Sequence, residues 1–332
     1  MINEHYLEML GHKSVIRELA EYAAVRGKKI GGENVFDFSL GNPSVPAPES
    51  FTDAAIRLLQ TEEPVRLHGY SPTLGIPSVK EKIAASLNRR FGMNYTAGHI
   101  FPASGCAGAV AHALRAVTKP GDKVLVQAPF FPEYIPYIND TGAQIEIIPA
   151  RFEDFQINFE ALEQMLQPGV AAILINSPNN PSGVVYTGET LEKLSSLLAA
   201  KSKELGYNLF LISDEPYREI AFGGREIPYP ARFYPHTLTC YSFSKSLSVP
   251  GERIGYVAVC PECEHAEDIV PMCGQISRGI GHNCPSSLIQ LAAAEAVDDT
   301  ADLSVYETNM ELLYETFREL GFEVKKPDGT FY

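Results

Sequence analysis

Between residues 123 and 260 one pattern recurs: a short, nearly continuous apolar run, then a stretch with helical periodicity. The runs are KVLVQAP (123–129), AQIEIIPA (143–150), VAAILINSP (170–178), NLFLISDE (208–215), TLTCYSFS (237–244) and IGYVAVC (254–260). Short runs that stay apolar instead of alternating suit strands buried on both faces. Helical segments at Ala107–Val117, Phe159–Leu166 and Thr187–Leu205 separate most of them, the last closing at Gly206 as a helix C-cap would. The alternation predicts an α/β fold, a mostly parallel sheet covered by helices on both faces.

The two ends follow another pattern. Ser14–Arg26 reads as an amphipathic helix with Val15, Ile16, Leu19, Ala20, Ala23 and Ala24 on its apolar side, and Ser286–Val297 and Ala301–Leu320 read as two long helices. The closing FEVKKPDGTFY predicts a strand, a Pro-Asp-Gly turn and a return strand. The sequence stops two residues into that return, so it reads as cut off inside a small C-terminal domain.

Charge and composition narrow the function. With 41 acidic against 27 basic side chains the formal charge is -14, so the surface as a whole repels nucleic acid and anionic membrane, and any anion site must be local. The N-terminus has acidic residues and no long apolar core, and runs such as VAAILI are too short to span a bilayer, so cytoplasm is the simplest location. Six cysteines without framework spacing read as reduced thiols. Cys260 and Cys263 form one C-x-x-C pair, but His265, Cys273 and Cys284 do not complete a zinc knuckle, so no metal is expected.

In parallel α/β sheets ligands sit beyond the carboxyl ends of strands. After HIFPA comes SGCAGAV, a small-residue turn into a helix whose free amides and dipole suit a phosphate, or which serves packing alone. After VAAILIN comes SPNNPSG, by itself a turn. SDEPY puts Asp214 at the end of an apolar strand, where a carboxylate needs a cationic partner; a protonated ring nitrogen would serve. SFSKSLSVPGERIG sets Lys245 among serines, with Arg253 eight positions on. It is either a polar loop or a partly desolvated nucleophilic amine beside a fork suited to phosphate. In this order the parts are those needed to hold pyridoxal phosphate.

Five motifs, FSLGNPSVPAP, YSPTLGIPSVKEKIA, NSPNNPSG, SDEPY and SFSKSLSVPGERIGY, stand in the order and at the spacing of one family, and by them the sequence resembles the class I/II aminotransferases from Ser14 onward. The resemblance implies a fold-type I pyridoxal-phosphate enzyme. Its large cofactor-binding domain would span residues 46–290, and a smaller α/β domain would combine 1–45 with 291–332. It implies that Lys245 forms the internal aldimine and moves the proton between substrate Cα and cofactor. Asp214 would pair with the pyridinium nitrogen, Tyr217 and Asn180 would bond the ring's phenolic oxygen, and Phe131, beside Phe130, would stack on the ring. The phosphate would lie against the amides of Gly105, Cys106 and Ala107, against Ser242 and Ser244, and against Arg253. Tyr70 would reach the phosphate of a neighbouring subunit, implying a homodimer, and Gly41 would offer its amide to the substrate carboxylate alongside Asn180.

The activity so implied moves an amino group from an L-amino acid to a 2-oxo acid by ping-pong kinetics. A β-lyase or decarboxylase on the same cofactor, or a non-catalytic cofactor-binding protein, are the alternatives. Two departures from the family stand out. Cys106 and Ala107 offer only backbone amides and a weak thiol where a second glycine or a hydroxyl is usual, and the family's carboxylate-clamping arginine would lie beyond GTFY. Arg278, with His282 in SRGIGHNCP, would either meet an acidic substrate side chain or sit in a solvated loop.

Overall fold

All six apolar runs become strands, and HIFPA supplies a seventh. In the computed structural model, which describes residues 2, 4–9, 15–39 and 41–332, these are β1 (Ile100–Ala103), β2 (Lys123–Gln127), β3 (Gln144–Ile148), β4 (Val170–Asn176), β5 (Phe210–Asp214), β6 (Thr237–Ser242) and β7 (Gly255–Val259). They form one sheet in the order β1-β7-β6-β5-β4-β2-β3. Strands β3, β2, β4, β5 and β6 are parallel, while β7 runs antiparallel to both β6 and β1. The reversal follows from the β6–β7 link, which holds only the single turn Phe243–Ser246 and the 3-10 turn Pro250–Glu252. A parallel return needs a longer crossover, usually with a full helix.

The near-continuous apolar character of the runs is explained by two cores. Val124, Val126, Ala172, Leu174, Ile212 and Leu238 pack on one face with the helices Pro77–Phe91 and Gly105–Val117. Leu125, Ile173, Ile175 and Leu211 pack on the other with Phe159–Met165 and Gly188–Leu205. Successive residues serve opposite faces and neither face is wet, so no polar alternation survives. Gly206 caps Gly188–Leu205 in the left-handed conformation, φ 79°, as its position predicts.

One close approach fixes β7. A Cβ on Gly255 would stand 2.3 Å from the Tyr241 carbonyl oxygen and 3.0 Å from the Gly105 carbonyl carbon, both backbone atoms that cannot swing aside. Gly255→Ala is therefore expected to destabilise the fold by roughly 3 kcal/mol or more, seen as a lower urea midpoint with an unchanged slope.

Contacts divide the chain into Met1–Pro43 and Ser44–Tyr332. The first unit holds the helices Glu4–Met9 and Val15–Ile30. Ser14, the expected start of the second helix, and Leu40 of FSLGNP lie outside the described residues. That helix runs past the expected Arg26 to Ile30, where Gly31, at φ 90°, stops it. Of its expected apolar side only Ile16, Ala20 and Ala23 are half-covered, and Val15, Leu19 and Ala24 are exposed.

In the second unit the helices Ser287–Glu295 and Ser304–Glu319 lie inside the expected ranges, but the C-terminal hairpin does not form. Residues 322–327 carry no strand. The Asp328 and Gly329 amides instead donate to the Gly183 carbonyl, at 2.8 and 3.0 Å, and Thr330 N–H donates to Ile220 O at 2.9 Å. Those donors find acceptors in neighbouring loops, so the turn docks there and makes only an isolated bridge between Ala221 and Gly329. Among the described residues no helix is long and apolar enough to cross a membrane.

Candidate active site

The carboxyl ends of β4, β5 and β6 lie side by side, with Asn176 opposite Asp214 and Asp214 opposite Cys240. Asn176 ties two of them together: its side-chain amide donates to Asp214 O at 2.8 Å while its oxygen accepts from Asn180 N–H at 2.6 Å. Asn180 Nδ2 in turn reaches the Tyr217 hydroxyl at 3.5 Å. The SPNNPSG turn thus presents Asn180 toward the end of β5.

Asp214 is buried, and its carboxylate is met by two neutral donors. The Cys106 thiol donates to Oδ1 at 2.6 Å and the Tyr134 hydroxyl donates to Oδ2. Burial pushes the carboxyl up to about 6, against the pull of these two donors. Among the described residues the hydrogen-bond partners of this carboxylate are neutral, and a cation seated beside it would offset the cost of its burial.

Lys245 lies in the single turn Phe243–Ser246, capped by Ser242, whose hydroxyl accepts the Ser244 amide at 3.1 Å. Its Nζ stands 5.1 Å from the Phe331 ring centroid and 5.9 Å from that of Tyr217. Burial first, then the charge of Arg253, bring the amine down to about 8, so a sizeable neutral fraction exists near physiological pH.

Arg253 lies across the start of the helix Gly105–Val117. Gly105 sits at φ 72°, a conformation that L side chains rarely adopt, and a Cβ there would fall 2.8 Å from Arg253 Nη2 and push the guanidinium aside. The guanidinium donates to Pro250 O at 3.0 Å and to Ser104 O at 3.3 Å. The Ser104 side chain makes no cap bond, which leaves the amides of Gly105, Cys106 and Ala107 without an intrahelical partner. Ser242 and Ser244 bond each other at 2.6 Å. Carboxylate, amine and anion cradle together fit pyridoxal phosphate: Asp214 would face its ring nitrogen, Lys245 its aldehyde, and Gly105 with Arg253 its phosphate.

Phe131 lies edge-on to Tyr134 at 5.8 Å, and Phe130 stacks on it at 6.4 Å. Tyr70 is fully exposed. Gly41 belongs to the first unit. Arg278 is in the last turn of the helix Ala266–Ile280 rather than in a loop, and it donates to Gln275 at 3.0 Å. Cys260 donates to Ala231 O at 3.6 Å, and Cys263 to Glu264 O at 3.2 Å.

Four features escaped the sequence reading. The Cys106 side chain points at Asp214, not only its amide at an anion. Tyr134 reaches the same carboxylate from 80 residues away. Phe331 lies against the lysine, and Tyr217 donates to the Tyr332 hydroxyl at 3.4 Å. Lastly, Glu215 forms a buried ion pair with Arg218 at 2.8 Å, beneath the rings of Phe91, Tyr229 and Tyr241. Only this last had a local signal, an acid and a base three apart in SDEPYR.

The family model for aminotransferase class I and II matches residues 33–332. The chain belongs to the class I and II aminotransferases. These are pyridoxal-phosphate enzymes as a family, so the chain is an enzyme that transfers amino groups.

This aminotransferase is 30% identical over 316 residues to a probable aspartate/prephenate aminotransferase of Aquifex aeolicus, a match covering 91% of this chain and 75% of the relative. It is 30% identical over 308 residues to the aspartate aminotransferase of Thermotoga maritima, covering 91% and 77%. The solved amino transferase from Eubacterium rectale superposes with a TM-score of 0.96 at 41% identity, covering 99% of this chain and 83% of that one. These likenesses and the sheet topology together establish the fold-type I architecture.

Proposed function

We propose that this aminotransferase moves an amino group from an L-amino acid to a 2-oxo acid in two half-reactions, with pyridoxal phosphate held at Lys245. One observation carries the reading: the half-buried Lys245 amine, brought down to about 8 by desolvation and by the charge of Arg253, faces the Tyr217 ring. Bound there, the cofactor would supply an electron sink. Lys245 would anchor it and carry a proton from and to the substrate Cα, Asp214 would hold the ring nitrogen, and Tyr217 and Asn180 would steady the phenolic oxygen. Gly105, Cys106, Ala107, Ser242, Ser244 and Arg253 would hold the phosphate, Phe131 would cover the ring, and Gly41 and Asn180 would receive the substrate carboxylate.

The same reading assigns residues 46–290 to a cofactor-binding domain and 1–45 with 291–332 to a smaller one. It pairs two copies of the chain, so that the exposed Tyr70 serves the neighbour's site. Six free thiols agree with residence in a reducing cytoplasm. Relatives named aspartate aminotransferase make a dicarboxylic amino acid the first substrate to try.

The test uses the purified protein loaded with pyridoxal phosphate. Borohydride should fix a reduced adduct whose peptide mass places it on Lys245, and aspartate alone, without an oxo acid, should convert the unreduced cofactor stoichiometrically to its amine form. An adduct elsewhere, or ammonia released in place of the amine form, would sink the reading.

A further inference from the structure

Asp214 is held from two sides by residues that lie far apart in sequence. Cys106, in the first turn of the helix Gly105–Val117, binds Oδ1, and Tyr134, at the start of the helix Tyr134–Asn139, binds Oδ2. Both are neutral donors, because burial raises thiol and phenol well above their ordinary values. The other titratable groups facing Asp214 are Tyr137, Cys240 and Tyr217, none of them cationic, and Glu215, whose charge favours the protonated acid. Arg218 is engaged by Glu215. Burial and Glu215 thus push a proton onto Asp214, and among the described residues Cys106 and Tyr134 oppose them.

We propose that Cys106 and Tyr134 are positioning residues that keep the Asp214 carboxylate ionised and fixed in orientation, and so set the pH below which the site releases a cationic ring. The proposal rests on the pyridoxal-phosphate reading above. A protonated Asp214 has no charge to offer a pyridinium, so binding weakens as pH falls through the carboxyl's midpoint. A hydrogen bond from a neutral donor to a buried anion is worth about 1.5–3 kcal/mol, equal to about one to two pH units. Loss of either donor should raise the midpoint by about that much.

The experiment reads Asp214 directly in protein freed of cofactor. Infrared difference spectra across a pH titration follow its carboxylic C=O stretch, assigned by its disappearance in Asp214→Asn. Pyridoxal phosphate binding is followed over the same range by quenching of tyrosine fluorescence, which is unobscured because the chain has no tryptophan. Cys106→Ala and Tyr134→Phe should each raise both midpoints by about one to two units, and Cys106→Ser, which keeps a donor, should stay near the parent. Tyr134→Phe retains the ring and carries the test if Cys106→Ala does not fold. Unmoved midpoints in variants that still bind, or equal shifts in Cys106→Ser and Cys106→Ala, overturn the proposal and leave the functional reading standing. A parent protein that binds no pyridoxal phosphate at any pH overturns both.

Discussion

Replacing Lys245 by alanine should lower amino-group transfer by roughly 10³-fold or more, because the variant loses both the covalent anchor and the group that moves the proton. The cofactor itself should still bind, since Asp214 and the cradle of Gly105 and Arg253 are untouched. Equilibrium dialysis should then find pyridoxal phosphate in the variant while borohydride labels no residue. In the parent, the reaction of free cofactor with the protein should quicken about tenfold per pH unit up to about pH 8, where the Lys245 amine is half neutral, and level off above it. A rate flat from pH 6 to 9, or a Lys245→Ala variant within tenfold of the parent, would remove Lys245 from the chemistry.

Asp214→Asn should produce two effects of opposite sign. In the loaded enzyme it removes the anion facing the ring nitrogen, and transfer should fall by about 10² or more, as for a lost electrostatic stabiliser. In protein freed of cofactor it should stabilise. Burial holds the folded-state pKa at about 6, above the ordinary 3.8, so the native state keeps its proton more tightly than the unfolded chain. This costs nothing below about pH 4, grows as pH rises to about 6, and stays constant above. About two units at roughly 1.4 kcal/mol each make it about 3 kcal/mol. Urea denaturation at pH 7.5 should find the cofactor-free variant more stable than its parent by about this amount, with the advantage gone near pH 4. Equal stability at pH 7.5 would mean that the carboxylate is better solvated than its burial implies.

These two residues were legible in the sequence because each is a polar exception inside an apolar context. Asp214 ends FLISD, and Lys245 follows TLTCYSFS. The sheet was legible for a related reason: strands covered on both faces leave no polar alternation, and a run such as VAAILIN has few other uses. What stayed hidden depends on contacts between distant residues. Tyr134 reads as one more aromatic in APFFPEY, and nothing local says that its hydroxyl ends on β5. The antiparallel course of β7 rests on the shortness of the link after Lys245 rather than on any residue of IGYVAVC. The Pro-Asp-Gly turn was read as a hairpin from local chemistry, yet its backbone donors are satisfied by Gly183 and Ile220, to which no turn rule points.

Neighbouring acids at the end of β5 have unlike fates. Glu215 finds its counter-ion in Arg218, encoded three residues later and sealed in during folding. Among the described residues Asp214 meets the neutral donors Cys106 and Tyr134 instead, and a cation brought from outside would complete it. On the proposed function, cofactor loading would be the last stage of charge compensation in the interior. Vitamin supply would then govern not only how fast the enzyme turns over but how long each molecule survives, since anything that binds the native state alone holds it folded.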